Sequence, residues 1–117
     1  MNRVLLIALL ILLAACSAKL SLAVPQGAPV RVVRSGTETL LQPSQPRYRQ
    51  LQAWLAQNQS GWSQVYATNP NGGVLVSSGH LHLQFVDSAV FVLTNDGMFT
   101  KPVKASDYAF LGAEAGT

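Results

Sequence analysis

Cysteine, charged residues and long apolar runs are all scarce in this sequence. The 117 residues include a single cysteine, Cys16, and only 11% of them are charged. One cysteine cannot form an intrachain disulfide, so the chain must fold without one. The longest apolar run, residues 4–15, would make a helix of about 18 Å, whereas the hydrocarbon core of a bilayer is about 30 Å thick. These absences exclude a disulfide-stabilised scaffold and disfavour a transmembrane anchor.

Catalytic motifs are missing as well. The sequence has no G-x-S-x-G elbow, no phosphate-binding glycine loop and no H-E-x-x-H helix. Its aspartates Asp87, Asp96 and Asp107 fall in predicted turns or at a helix start, which are ordinary structural positions. Residues 16–117 carry a net charge of +2, which is too small to indicate nucleic-acid binding. We therefore expect no enzymatic activity, no cofactor and no nucleic-acid partner.

The first sixteen residues have the pattern of an export signal. Arg3 precedes the apolar run, and small residues end it, as in secretory signal peptides. The run finishes in Leu13-Ala14-Ala15-Cys16, which resembles the lipobox of bacterial lipoproteins. The resemblance implies that residues 1–15 are a signal peptide cleaved before Cys16. It also implies diacylglyceryl transfer to the Cys16 thiol and acylation of the new amino group.

Membrane attachment at the cell envelope is what this resemblance implies. Two or more acyl chains hold a protein firmly on a membrane, so a triacylated Cys16 would be a stable anchor. Ser17 stands where aspartate tends to retain lipoproteins at the inner membrane. It resembles the pattern of lipoproteins on the periplasmic face of the outer membrane. The alternative is ordinary signal-peptidase cleavage at Ser21-Leu22-Ala23, which would give a soluble secreted protein.

One small domain is predicted behind this leader. Removing residues 1–15 from the 117 leaves 102, which allows a single domain. Residues 16–29 hold small residues, Gly27, Pro25 and Pro29, and predict a flexible tether carrying the lipidated cysteine. Residues 30–112 form the predicted domain, and residues 113–117 are expected to fray.

The order of elements predicts an α+β fold, with a small antiparallel meander packed against one main helix. Ser35-Gly36 suits a hairpin turn between two short strands. Ser44 is the predicted helix cap and Pro46 its first turn, and residues 58–61 would end the helix. Tyr48, Leu51, Trp54 and Leu55 give this helix its apolar face, and strands are predicted at residues 30–34, 37–41, 62–68, 74–77, 80–86, 89–93 and 98–103.

Two pairs of residues are candidates for a site. His80 and His82 alternate along a predicted strand, so they share a face and could supply two metal ligands. A third ligand would have to come from elsewhere, such as Asp87 or Asp96, and we favour two solvent-facing histidines. The second pair, Trp54 and Trp62, could line a protein contact, although core packing is the favoured interpretation.

Three functional hypotheses remain open. The first is a non-enzymatic envelope lipoprotein that binds another protein through its sheet or helix face. The second is a module that binds a small apolar ligand or lipid in a pocket between the helix and the sheet. The third is a metal-binding protein or enzyme that uses His80 and His82.

Overall fold

The computed structural model describes residues 17–66 and 72–112. Its antiparallel sheet and its helix confirm the predicted α+β class. The described elements are β1 (Val30–Arg34), β2 (Thr37–Leu41), α1 (Pro46–Gln57), β3 (Ser63–Val65), β4 (Val74–Ser78), β5 (Leu81–Val86), β6 (Ala89–Thr94), β7 (Gly97–Pro102) and two 3₁₀ turns at Ala105–Asp107 and Ala109–Gly112.

The seven strands form one sheet in the order β2-β1-β4-β5-β6-β7-β3. Strands β4 to β7 are the predicted meander, and β1 pairs with β4 so that the first hairpin extends it. The connection that contains α1 runs from β2 at one edge to β3 at the opposite edge. This route carries the helix across one face of the sheet and leaves the other face without it.

The core lies between the helix and the sheet. On β5 the alternate residues Leu81, Leu83 and Phe85 are buried, because side chains of a strand point to opposite faces in turn. The Phe85 ring is 5.1 Å from the ring of Trp54 on α1 and 4.8 Å from that of Tyr108. Burial of each such large side chain contributes roughly 1.5–3 kcal/mol to folding. Phe85 therefore joins the sheet, the helix and the C-terminal turns.

The N-cap of the helix lies one residue later than predicted. Pro46 occupies the first turn as predicted, but Gln45 rather than Ser44 is the cap residue. The residue before a proline is held in an extended conformation, so the non-helical cap position falls on Gln45. The side-chain Oε1 of Gln45 accepts a hydrogen bond from the backbone N–H of Gln42. Asn58 ends the helix within the predicted stop.

The segment predicted as a tether is packed on the domain over part of its length. Ala18 forms an isolated antiparallel bridge with Trp62, and Leu22 is 8% exposed. The physical reason is an alternation of apolar residues at Ala18, Leu20, Leu22 and Val24, which gives this stretch the pattern of a half-buried strand. We refer to residues 18–24 as the N-terminal arm. The prediction of a flexible tether is wrong for the arm.

Strand β3 is shorter than predicted and occupies a different position in the sheet. The expected strand over residues 62–68 reduces to Ser63–Val65, and residues 67–71 are outside the described part. It pairs with β7 at the sheet edge rather than with β4, the next strand along the chain. Residues 113–117, expected to fray, also lie outside the described residues.

Candidate functional site

One face of the sheet is covered and the other is open. Leu81, Leu83 and Phe85 point toward α1 and the N-terminal arm, whereas His82 between them is exposed. A strand that buries one row of side chains necessarily presents the other row to the opposite side. We refer to the side against α1 as the inner face and to the opposite side as the outer face.

The outer face carries apolar side chains that no element of the described chain covers. Leu75 on β4 and Leu93 on β6 are 44% and 48% exposed. Phe91 and Met98 are half-buried, and Met98 lies opposite Leu93 in the pairing of β6 with β7. Val33 lies opposite Leu75 in the pairing of β1 with β4. We refer to these five residues as the outer patch.

A shallow depression of about 220 Å³ lies within the outer patch. Four members of the patch line it, together with His82 and Gln84 from β5. Apolar walls with a few polar groups are typical of surfaces that receive an apolar side chain of a partner or a small ligand. The depression is open to solvent and lies on the side of the sheet away from the core.

Polar side chains border the outer patch on β4 and β5, and Glu38 borders it on β2, opposite Val33. Ser77 lies opposite His82, and Gln84 lies opposite Phe91. The charged pair on this face is Arg31 with Glu38, 3.4 Å apart at the β1–β2 end and more than half exposed, so it contributes little stability. The centres of protein interfaces are depleted in charge and enriched in aromatic residues and methionine. The composition of the outer patch is therefore typical of a protein contact.

The two histidines line one groove, and no third metal ligand joins them among the described residues. His80 is in the turn before β5, which begins at Leu81, so the predicted strand is one residue too long. His80 and His82 are exposed and both line a groove of about 440 Å³ beside Ser21 and Asn95. Within residues 17–66 and 72–112, no three His, Cys, Asp or Glu side chains form a group that could hold a metal ion. The metal hypothesis gains no support from this arrangement.

Both tryptophans belong to the core. Trp54 is 7% exposed and Trp62 is fully buried. Their rings meet edge to face with centroids 6.5 Å apart, and the Trp62 Nε1–H donates to the Asn58 carbonyl at 2.7 Å. A side chain in this position cannot line a partner contact without unfolding its surroundings. The candidate role in partner binding does not agree with this burial.

Asp87 and Asp107 have structural roles in turns. Asp87 adopts a left-handed backbone conformation, with φ of 51°, in the β5–β6 turn, and its carbonyl accepts a hydrogen bond from the Tyr108 hydroxyl. The Asp107 carboxylate accepts a hydrogen bond from the Lys104 backbone N–H at 2.9 Å, and caps the first 3₁₀ turn. These are the turn and helix-start roles that aspartate commonly takes.

Aromatic rings fill the space between α1 and the sheet, where an apolar ligand was one hypothesis. Trp54, Phe85 and Tyr108 pack in sequence there with centroid separations of 5.1 and 4.8 Å. In the described part of the chain, every buried side-chain nitrogen or oxygen has a hydrogen-bond partner. A ligand in this layer would have to displace packed rings, which favours a closed core.

The outer patch is the feature that sequence reasoning missed. Residues 89–93 are apolar on both faces, which predicts a central strand. Strand β6 is indeed internal to the sheet, paired with β5 and β7, but Leu93 remains exposed. The signal for a surface site was the outward-facing Phe91 and Leu93 in a chain with a single predicted helix, because one helix can cover only one face.

Cys16, the predicted lipidation site, lies outside the described residues together with the predicted signal peptide at 1–15. None of the helices in the described ranges is long and apolar enough to cross a bilayer. Comparison of the chain with family models, curated proteins and solved structures finds no match.

Proposed function

We propose that this protein is a lipid-anchored, non-enzymatic component of the bacterial envelope that binds another protein through its outer patch. In this proposal Cys16 carries the lipid, and the domain lies on the periplasmic face of the outer membrane. The binding partner is an envelope protein that presents an apolar, uncharged surface. The observation that carries the binding role is the outer patch, with Leu75 and Leu93 about half exposed on an uncovered sheet face.

The attachment part of the proposal is supported by the sequence pattern around Cys16. An apolar run of twelve residues and then Leu13-Ala14-Ala15 lead directly to the only cysteine of the chain. An apolar stretch of this length is short for a spanning helix but fits a signal peptide. Lipid on Cys16 would hold the domain at the membrane, where local concentration favours weak partners.

The binding part is supported by the shape and chemistry of the outer face. Phe91, Leu93 and Met98 surround a depression of about 220 Å³. Exposed apolar patches with a polar rim mark interaction sites more often than isolated apolar residues do. Five side chains are fewer than the roughly 20–30 residues of a standard interface half, so they would form the centre of the contact.

Site-specific photo-crosslinking in intact cells tests the proposed function. A photoreactive amino acid placed at Leu93 should produce a crosslinked species larger than the monomer, identifiable by mass spectrometry. The matched control is the same amino acid at Gln50, an exposed residue of α1 on the opposite side of the sheet. Leu75→Ser in the Leu93-labelled protein should weaken the crosslink. Monomer alone from position 93, or equal products from positions 93 and 50, would refute binding through the outer patch.

A further inference from the structure

The N-terminal arm shortens the connection between the proposed lipid site and the domain. The N–H of Ala18 donates to the Trp62 carbonyl at 2.6 Å, and the N–H of Trp62 donates to the Ala18 carbonyl at 3.2 Å. Only Ser17 separates this pair from Cys16. Two residue steps span at most about 7 Å, whereas a free tether from Cys16 to Val30 would reach about 50 Å. A group attached at position 16 would therefore stay within about 7 Å of Ala18, whose bridge partner Trp62 directly precedes β3.

Gln59 fixes the rest of the arm to the end of α1. Its carbonyl accepts the N–H of Leu20 at 2.6 Å. Its side-chain Oε1 accepts the N–H of Leu22 at 2.9 Å, and its Nε2 donates to the Leu22 carbonyl at 2.8 Å and to the Leu55 carbonyl at 2.6 Å. Leu22 then buries its side chain in the core. The arm is thus a part of the domain and cannot extend freely without breaking these contacts.

Two lysines lie beside this junction. Lys19 is exposed and follows Ala18 directly in the chain. The ammonium of Lys101 donates to the Ser60 carbonyl at 2.8 Å and lies 6.0 Å from the centre of the Trp62 ring. Among the residues that the structure describes, neither lysine forms an ion pair with a carboxylate. Both positive charges are therefore available to an anion outside the protein.

Two acidic residues of the described chain, Glu38 and Asp96, are held by contacts away from these lysines. Glu38 is on β2, at the opposite edge of the sheet from β3, and is paired with Arg31. Asp96 lies in the β6–β7 turn, where its carbonyl accepts a hydrogen bond from the side chain of Gln64, the middle residue of β3. At the corner of the molecule next to Ala18 and Trp62, Lys19 and Lys101 are therefore positive charges without a carboxylate partner among the described residues.

We propose that this corner, made by the N-terminal arm and residues 59–62, lies on an anionic phospholipid surface, with Lys19 and Lys101 against headgroup phosphates. The proposal rests on lipidation of Cys16 in the proposed function. A connection of about 7 Å from Cys16 to Ala18 keeps Lys19 within about one Debye length of the membrane, and Lys101 lies beside Trp62, the bridge partner of Ala18. Lipid anchors commonly act together with a basic patch, and each lysine near an anionic surface adds to membrane attraction. The domain then has a fixed orientation.

The test couples the chain from Cys16 onward to vesicles through a maleimide phospholipid. Cys16 is the only cysteine, so the attachment point is unique. Chemical coupling needs no lipoprotein-processing enzymes, so failure here and failure of lipidation in cells are separate results. This chain contains every contact described for the domain. Vesicles of phosphatidylcholine alone are compared with vesicles that also contain phosphatidylglycerol.

The readout is acetylation of the three lysines by an amine-reactive reagent, followed by mass spectrometry. On anionic vesicles, Lys19 and Lys101 should react about five-fold more slowly than in the uncoupled protein. Lys104, which follows β7, is the internal reference and should change little. An unchanged reaction rate for Lys101 on anionic vesicles would overturn the proposal. Equal protection of Lys101 on neutral vesicles would overturn the role assigned to headgroup phosphates.

A substitution of Gln59 distinguishes the contribution of the N-terminal arm from that of the lysines. Gln59→Ala should release the arm and restore the reactivity of Lys101 on anionic vesicles. Gln57→Ala removes an exposed glutamine at the end of α1 and should leave the protection of Lys101 unchanged. Near-ultraviolet circular dichroism establishes that each variant is folded. The comparison of vesicle types with the unmodified chain decides the proposal even if Gln59→Ala does not fold. Retained protection in a folded Gln59→Ala variant would contradict the role of the arm.

Discussion

At the scale of single residues, Gln59 has an unusual number of contacts for a polar side chain. It accepts one hydrogen bond and donates two, and so ties the backbone of Leu22 to that of Leu55. We expect Gln59→Ala to lower the free energy of unfolding by about 1–3 kcal/mol, because partly buried backbone groups lose their partners. Urea unfolding measures the change. Gln57→Ala should change stability by less than about 0.5 kcal/mol. Equal effects of the two substitutions would contradict the claim that the Gln59 side chain holds the arm on α1.

Gly73, which directly precedes β4, allows the close approach of β4 to β5. It has a φ of 79°, and a Cβ at this position would overlap the carbonyl oxygen of Phe85. Gly73→Ala should therefore destabilise the protein by at least about 3 kcal/mol, from backbone strain and overlap together. Gly72 is the matched control, since its φ is 82° but its Cβ would meet no atom within 4 Å.

Gly72→Ala should cost only the backbone strain, about 1–2 kcal/mol. Thermal or urea unfolding of the two variants side by side isolates the overlap with Phe85. If Gly73→Ala and Gly72→Ala unfold alike, then β4 and β5 do not approach as closely as the structure places them.

At the scale of elements, the N-terminal arm makes a prediction that a free tether cannot. The N–H groups of Ala18, Leu20 and Leu22 are hydrogen-bonded to residues 59 and 62, whereas those of Lys19 and Ser21 have no hydrogen-bond partner among the described residues. Amide hydrogen exchange should therefore alternate, with residues 18, 20 and 22 at least about ten-fold slower than residues 19 and 21. Uniformly fast exchange over the arm would contradict its docking.

The spacing of apolar residues within a single segment was sufficient to predict individual helices and strands. The spacing of Tyr48, Leu51 and Leu55 predicted α1, and the alternation of Leu81, Leu83 and Phe85 predicted β5, and all six are buried. Each pattern reports which side of one element meets the core, and this is a property of the element itself. Strand order is not a property of a single element. Strand β3, for example, is placed by its pairing with β7, more than thirty residues away in sequence.

The N-terminal arm and the outer patch were missed for related reasons. Apolar residues alternate at Leu20, Leu22 and Val24, but the nearby Pro25 and Pro29 favoured a linker interpretation. In β6, apolar residues on both faces predicted a central strand, but they did not indicate that Leu93 would remain exposed. A sequence indicates which residues are apolar, whereas the number of covering elements decides which of them remain exposed.

At the scale of the whole molecule, the two sides of the sheet should respond differently to the same substitution. Leu83 on the inner face is 2% exposed, whereas Leu75 and Leu93 on the outer face are about half exposed. We expect Leu83→Ser to destabilise the domain by about 3–5 kcal/mol, because it leaves a cavity and buries a hydroxyl.

Leu75→Ser and Leu93→Ser, each made singly, should change the free energy of unfolding by less than about 0.5 kcal/mol. Urea unfolding of the three variants provides the comparison. A large loss of stability from the outer-face substitutions would mean that the outer patch belongs to a second core and is not a surface for a partner.

Attachment through Cys16 is the central claim of this account, since both the membrane orientation and the envelope partner depend on it. Incorporation of radiolabelled palmitate in cells tests it most directly, in the full-length protein and in Cys16→Ser. We predict label in the unmodified protein and none in the Cys16→Ser variant. Absence of label in both proteins would contradict the lipid anchor. Cleavage at Ser21-Leu22-Ala23 would then be the better interpretation of the leader, and the domain would lack residues 18–23 of its arm.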